Sequence, residues 1–428
     1  MEYRTFGWVQ NPSNFDNLRK TVQALDPDSK NYKKLQEHTI KEVIYFEDIR
    51  DSLQSKLNDR VCEFTYQELV GKSIDKNRKQ PKRRSDSVAN SLLQISILPQ
   101  SVKTKGKRYT DNWTADGFLR WAVSLNFISY NRKNDTFKIT DFGRKYSRSI
   151  KDSKDERDIL REAMLRYPPA TRVMSLLANS DKPMTKFAIG SQLGFVGEKG
   201  FTSYDEKLMI DWMKHADGTD LKDIRANIEG TSDKYARMIC GWLLKLDFVS
   251  RKSTKYTNSL GEKITGFPEY TLTGDGRHSL NQANGFSKNK TKPKFVMWEF
   301  FATDNELNRK ETREYIRTRR AYTLKELKHH HTIDSILNAL KDHGIFEEKE
   351  TLLADLNKLI TFGIRIIIKE NEVRLLDVLN DFTIPHQTFT LTESDIEAEK
   401  IKNYFRKNTN LPEKYLEGKF QVQVSHLN

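Results

Sequence analysis

Three charged residues are spaced so that they could read the edges of base pairs. In EGTSDKYARMICGWLLKLDFVS (229–250), Lys234 and Arg237 lie three apart and Glu229 sits just ahead of them. That spacing puts both cations on one face of a helix. Lys and Arg can donate to O6 and N7 of guanine, and Glu can accept from N4 of cytosine. The element that must position them is legible in the same stretch. Tyr235, Met238, Ile239, Trp242, Leu243 and Leu246 recur at helical spacing and form one apolar stripe on the opposite face. Thr231 or Ser232 is expected to cap this helix, with Asp233 in its first turn. A helix pinned along one side, with cations in its N-terminal half, suits a DNA major groove. From this segment alone, an ordinary surface helix with two solvated cations remains the other reading.

The unit recurs. After LDFVS (246–250) come a polar Lys-rich stretch and then YTLTGDGRHSL (270–280). Upstream, GFLRWAVSLNFIS (117–129) is followed by a polar YNRKNDTF and KITDFGRKYS (138–147). Both copies read as helix, strand, hairpin, strand, then Thr-x-x-Gly-Arg opening another helix. A fainter third copy is LLADLNKLITFGIRIII (352–368), with KENE as its hairpin and VRLLDVL after it. A helix followed by a β-wing, three times over, predicts winged helix-turn-helix units.

The 428 residues have room for about three domains. Lys and Arg number 73 against 59 Asp and Glu, a formal charge of +14, which favours a polyanionic partner. No apolar run approaches the roughly 18 residues of a membrane span, and the N-terminus has no signal-peptide core. Cys62 and Cys240 sit among core-like neighbours, which predicts buried free thiols in a reducing cytoplasm. Polar, breaker-rich stretches at 149–158 and 284–295 divide the copies. The expected organisation is a first winged-helix subdomain with an N-terminal arm (1–150), a second (151–288), a third (289–385), and a linker and tail (386–428).

Several segments together resemble the DNA-recognition part of the FokI family of type IIS restriction endonucleases. They are RTFGWVQNP (4–12), YQELVG (66–71), DNWTADGFLRWA (111–122), KITDFG (138–143), YPPATR (167–172), TKFAIGSQLGFVGEKGFTS (185–203), EGTSDKYARMI (229–239) and YIRTRRA (315–321). They occur in the family's order. The resemblance implies base contacts from Gln10 and Asn11 in the arm, from Arg84, Gln100 and Trp113 in the first subdomain, and from Glu229, Lys234 and Arg237 in the second. It implies the asymmetric target GGATG, and a third subdomain that mainly holds a nuclease domain in cis. Amides of Gln10, Asn11 or Gln100 suit adenine, the three cations suit guanine, and Trp113 can pack on a thymine methyl. One departure is Ala226, which stands where the family carries an Asn.

The densest basic run, KNRKQPKRR (76–84), leads into the first subdomain's recognition region. Lys76, Arg78, Lys79, Lys82 and Arg83 are therefore expected to touch phosphates, with a solvated loop as the alternative. Arg317, Arg319 and Arg320 could bind phosphate or face protein. His329, His330 and His331 are expected to be a solvated helix end, because consecutive helical residues diverge and no ligand partner accompanies them.

The family cuts with a PD…(D/E)xK core whose carboxylates hold Mg²⁺. Here the only Pro-Asp is Pro27-Asp28, and Asp28-Ser29-Lys30 overlaps it without a separating hairpin. The nuclease domain is thus expected to be absent from this chain, which should hold no cofactor and not cut alone. Mg²⁺ would belong to the full protein. The expectation is an α+β, mainly helical chain of three tandem winged-helix subdomains, binding double-stranded DNA as a monomer in the bacterial cytoplasm. It would be the targeting portion of a type IIS enzyme in a restriction-modification system. The alternatives are a fragment of a Mg²⁺-dependent endonuclease and a stand-alone winged-helix regulator. A regulator would usually be a two-fold dimer on palindromic half-sites.

Overall fold

The computed structural model of the chain describes residues 4–9, 12–99, 107–198, 200–285, 292–303 and 310–385. The tail expected over 386–428 lies outside the described residues.

The repeat seen in the sequence is a repeat of hydrogen bonds. In the first unit, β1 (Glu63–Thr65) leads into α1 (Tyr66–Val70). Then come α2 (Asn112–Ser124), β2 (Ile128–Asn131), β3 (Thr136–Ile139) and α3 (Asp141–Arg148). The second unit runs β4 (Met184–Thr185), α4 (Lys186–Gly190), α5 (Thr231–Lys245), β5 (Val249–Thr257), β6 (Lys263–Leu272) and α6 (Gly274–Ala283). Their antiparallel sheets share one strand order, β1-β3-β2 and β4-β6-β5. The third unit is reduced. It has α7 (Ile333–Lys341), α8 (Lys349–Phe362) and the hairpin β7 (Ile366–Lys369) and β8 (Glu372–Leu375), with Thr332 bridging to Glu372 in place of a first strand.

Two local devices explain why these segments fold alike. Thr65, Thr185 and Thr332 end the first strand, or its one-residue substitute, and cap the next helix through their hydroxyls. The recognition-type helix of each unit ends in a left-handed residue: Asn126, Asp247 or Gly363. In each unit the following N–H reaches back into the helix: Phe127 to Ala122 O, Phe248 to Leu243 O and Ile364 to Leu359 O, at 2.9, 3.0 and 3.1 Å. The Thr-x-x-Gly step also has one cause in both full units. Thr140 and Thr273 cap the third helix, and a Cβ on Gly143 or Gly276 would come within 2.0 or 2.1 Å of the carbonyl of Phe127 or Phe248.

The three units share one continuous core. Trp8 sits at its centre, 4% exposed, stacked on Phe300 and edge-on to Phe195, Phe201 and Tyr235. Gly7 precedes it at φ 94°, where a Cβ would fall 1.8 Å from the Phe300 ring. The RTFGWV segment is therefore a structural strap as well as the start of an arm.

The arginines of 317–320 face protein, and the phosphate alternative is corrected. Arg317 is fully buried and donates to Thr5 Oγ1 and Ala302 O. Arg319 and Arg320 both pair with Asp355, and Arg320 also reaches Glu198 of the second unit. Cys240 is fully buried, whereas Cys62 is only half-buried, and both are free. Trp242 and Trp298 are core residues.

Candidate nucleic-acid interface

α5 presents Arg237 to solvent and Lys234 half-buried, while Tyr235, Met238, Ile239, Trp242 and Leu243 are buried. Neither Thr231 nor Ser232 caps it. Gly230 holds the cap position, and Asp233 closes the end by accepting from the N–H groups of Gly230 and Tyr204 and from the Ser203 hydroxyl. Ser232 is thereby buried. A Cβ on Gly230 would meet Thr202 O at 2.2 Å, so this turn must be glycine. Burial raises the Asp233 carboxyl above its ordinary range.

Glu229 is not a free acceptor in this state. Arg237 donates to it in a bidentate pair, Nε to Oε2 at 2.9 Å and Nη2 to Oε1 at 2.7 Å. Lys186, the first residue of α4, donates to the same Oε2 at 2.9 Å. Burial would push the Glu229 carboxyl up, but the bonds from Arg237 and Lys186 outweigh it and hold the group below the usual carboxylate range.

The left-handed turn at the end of each recognition helix fixes which residues are equivalent. The same distance ahead of Asn126, Asp247 and Gly363 stand Trp113, Lys234 and Glu350. Trp113 is 72% exposed in the first turn of α2, an unusual placement for tryptophan and one that leaves its ring available to a partner. Glu350 is exposed and acidic, the wrong sign for a phosphate backbone. The third unit therefore repeats the fold without an aromatic or basic side chain at this position. Trp121 and Trp242 are equivalent in the same way, and they stack on each other at 4.6 Å and 23°. This contact fixes α2 against α5.

Gln10, Asn11 and Gln100 lie outside the described residues, as does the side chain of Arg84. The arm is anchored on both sides of the first two: Val9 is buried, and Trp242 Nε1 donates to Pro12 O at 2.9 Å. Lys76, Arg78, Lys79, Lys82 and Arg83 are all exposed, on a loop docked against the 47–58 helix. Arg78 is partly committed, pairing with Asp48 and lying over Phe46. Ala226 is exposed and offers no polar side-chain atom, and the neighbouring Asn227 amide bonds to Asp223.

The two wings differ. In the first, Arg132 turns inward onto Glu299 and Thr383, so that hairpin joins the first unit to the third. The second is longer and exposes Arg251, Lys252, Lys255 and Lys263. The sequence marks that stretch as a polar, Lys-rich hairpin, as the repeat requires, without singling out these four cations. Lys186 was missed as well. Its only signal was a lone cation at the head of the apolar KFAIG helix.

Asp28 is a surface ion-pair partner of Arg60 and Arg148, and Ser29 caps the short helix behind it. Among the described residues no group of three His, Cys, Asp or Glu side chains is placed to hold a metal ion. His329 and His331 are exposed, and His330 lies 3.5 Å from Glu326. No helix among the described residues is long and apolar enough to cross a membrane.

Tandem winged-helix units with unlike side chains, Trp113 and Lys234, at one equivalent position, on helices joined by a tryptophan stack, define a modular DNA-recognition protein. The comparisons with known proteins say which. The first and second recognition subdomains of FokI match residues 4–149 and 156–288, and its D3 domain matches 307–371. The chain is 39% identical over 422 residues to the type II restriction enzyme FokI of Planomicrobium okeanokoites, covering 97% of this chain and 70% of that protein. It is 29% identical over 429 residues to the type II restriction enzyme StsI of Streptococcus sanguinis, covering 96% and 68%. The structures of FokI alone and of FokI bound to DNA superpose with TM-scores of 0.82 and 0.83 at 37% identity, again over 97% of this chain and 70% of theirs. The chain belongs to the FokI family of type II restriction enzymes, and it comprises that family's three recognition subdomains.

Proposed function

We propose that this chain reads an asymmetric duplex site as one monomer and so targets a type IIS restriction endonuclease, with GGATG as the site. The observation that carries the reading is the pairing of unlike readers on coupled helices. Trp113 and Lys234 occupy one equivalent position in α2 and α5, and the Trp121–Trp242 stack holds those helices in a fixed relation. Identical modules would read a repeat or a palindrome; unlike modules in fixed order read a sequence with a direction. The third unit, with Glu350 in the reader position and its arginines turned inward, suits attachment of a nuclease domain that brings Mg²⁺ chemistry in cis. The bacterial cytoplasm is where such a targeting protein meets incoming DNA.

Arg237→Ala should weaken binding to a GGATG duplex by about 1–3 kcal/mol and change binding to random duplex far less. Lys79→Ala should weaken both alike, because a phosphate contact carries no sequence information. The measurement is a competition between GGATG and singly substituted duplexes. Equal losses on specific and random DNA for Arg237→Ala would remove α5 from the reading set.

Binding to random duplex should also fall steeply with salt, by about 0.9 log unit per log unit of salt for each phosphate neutralised. Replacing Arg251, Lys252 and Lys255 together with glutamine should flatten that slope by roughly 0.9 for each phosphate that is no longer neutralised. Anisotropy titrations across a salt series read it directly. An unchanged slope would take the second wing off the DNA.

A further inference from the structure

The second wing is longer than the repeat requires. β2 and β3 span four residues each, whereas β5 spans nine and β6 ten. Lys252 pairs with Glu269, Glu269 with Thr185, and the next residue, Lys186, bonds Glu229 just ahead of α5. The hairpin is therefore level with the front of the reading helix by Lys252. At about 3.4 Å a residue, positions 253–257 carry it roughly 17 Å further. A second, smaller core braces this overhang. Ile264 and Phe267 of β6 pack with Phe187 of α4 and with Met209, Met213 and Ile224 from the helices Glu206–His215 and Gly218–Ala226.

The turn at its end is fixed by hydrogen bonds, with all five N–H groups from Asn258 to Glu262 committed. Asn258 N–H donates to Glu262 O at 2.9 Å, Gly261 N–H to Asn258 O at 3.0 Å, and Ser259 N–H to Lys214 O at 2.9 Å. Leu260 and Glu262 N–H both donate to Asn258 Oδ1, at 3.1 and 2.8 Å. What this turn holds out is Leu260, 70% exposed. A lone exposed leucine is ordinary. This one stands at the end of a braced ribbon, beyond the exposed cations Arg251, Lys252, Lys255 and Lys263. The ribbon's two acids are engaged within it: Glu262 accepts from Asn258 Nδ2 and Glu269 from Thr254 Oγ1.

We infer that Leu260 is a minor-groove contact, carried by the overreaching wing into the duplex that flanks the target. A ribbon that outruns a groove-bound helix by more than the roughly 12 Å width of the major groove leaves that groove and crosses a phosphate backbone, where the wing's cations find their partners. The tip then lies over the neighbouring minor groove, which accepts apolar side chains as wedges. Because the turn is built before DNA arrives, little loop entropy is lost on contact. The wing thus adds a contact to the flank, outside the bases offered to α2 and α5. The inference rests on the proposed binding of duplex DNA by the second unit.

The test uses the full 428-residue chain and three GGATG duplexes. One carries a helical turn of flank, about 10 base pairs, on both sides, and the others are trimmed flush on one side or the other. Leu260→Ala, a change at an exposed position, should weaken binding to the untrimmed duplex roughly tenfold, as for one leucine side chain returned to water. Trimming the side that the wing covers should weaken wild type, and on that duplex Leu260→Ala should cost nothing more. Leu260→Met should keep most of the affinity. Replacing guanine by inosine in the covered flank removes only the amino group in the minor groove. It should tighten binding of wild type and leave Leu260→Ala unchanged. Equal losses for Leu260→Ala on all three duplexes, or no loss on any, overturn the inference, and so does a wild type indifferent to inosine. Failure of the proposed function looks different: wild type would then bind GGATG and random duplex alike, or bind neither.

Discussion

Trp8→Ala is expected to cost about 3–5 kcal/mol of stability, the range for emptying a large aromatic site in a packed core. The indole joins all three units. It meets Phe195, Phe201 and Tyr235 of the second, and Phe300 and Phe362 of the third, with ring centroids 5.4 to 6.0 Å away. The strap that carries it is tied to the first unit by Gly7 N–H donating to Ser124 Oγ at 2.9 Å. These five neighbours are themselves packed rings, three edge-on, one stacked and one tilted, and rings refill a void poorly. Unfolding by denaturant should show the loss and should also lose cooperativity, since the units then part at different concentrations. Trp8→Phe should recover part of it. Tyr235 lies on α5, so the same variant should loosen the reading helix and blunt discrimination on DNA. A single sharp transition, shifted by less than about 1 kcal/mol, would mean that the strap is not what binds the units together.

Asp355→Ala should cost a comparable amount, about 3–5 kcal/mol, for an electrostatic reason. The carboxylate is buried on α8 and accepts from Arg319 Nε at 2.6 Å and from Arg320 Nε at 2.9 Å. Removing it strips both guanidinium groups of their shared buried carboxylate and leaves Arg319 with Glu347 and Arg320 with Glu198. Burial alone would raise this carboxyl, but the attraction of Arg319 and then Arg320 prevails and holds it below the usual aspartate range. A depressed folded value sets the direction of the pH dependence. The stabilisation is fully present above the unfolded value of about 3.9 and is lost as the pH falls through the lower folded value. Wild type and Asp355→Ala should therefore differ most near neutral pH and converge in acid. A constant difference down to the acid limit would show that packing, not charge, explains the loss.

Much of this protein is written in local sequence. The apolar stripe of 235–246 fixes α5, and the LNFIS and LDFVS steps fix two identical helix-to-strand turns, because Asn126 and Asp247 tolerate the left-handed backbone there. Thr-x-x-Gly fixes the next helix start twice over. Lys234 and Arg237 could be proposed as readers because helical periodicity assigns each residue a face without knowledge of the rest of the chain, whereas Trp113 is implied only by the family resemblance. The ordered motifs identified the family for the same reason, since each is a short-range pattern.

Charge partners could not be read that way. Arg237 and Arg319 are both cations on helices, yet one reaches solvent and the other closes a buried network with Asp355, thirty-odd residues further along the chain. Helix α5 is capped from outside by the loop that brings Ser203 and Tyr204 to Asp233, which no capping preference for Thr231 or Ser232 could anticipate. The sequence by itself determined the elements, their repetition and the faces they offer, because those follow from interactions within a few residues. Only the tertiary structure decided that Glu229 is shared between Arg237 and Lys186, that Trp121 meets Trp242, and that one wing is spent on protein while the other stays open. Each of those depends on pairing groups far apart in the chain, and desolvation and close packing choose such partners only when the whole core is assembled.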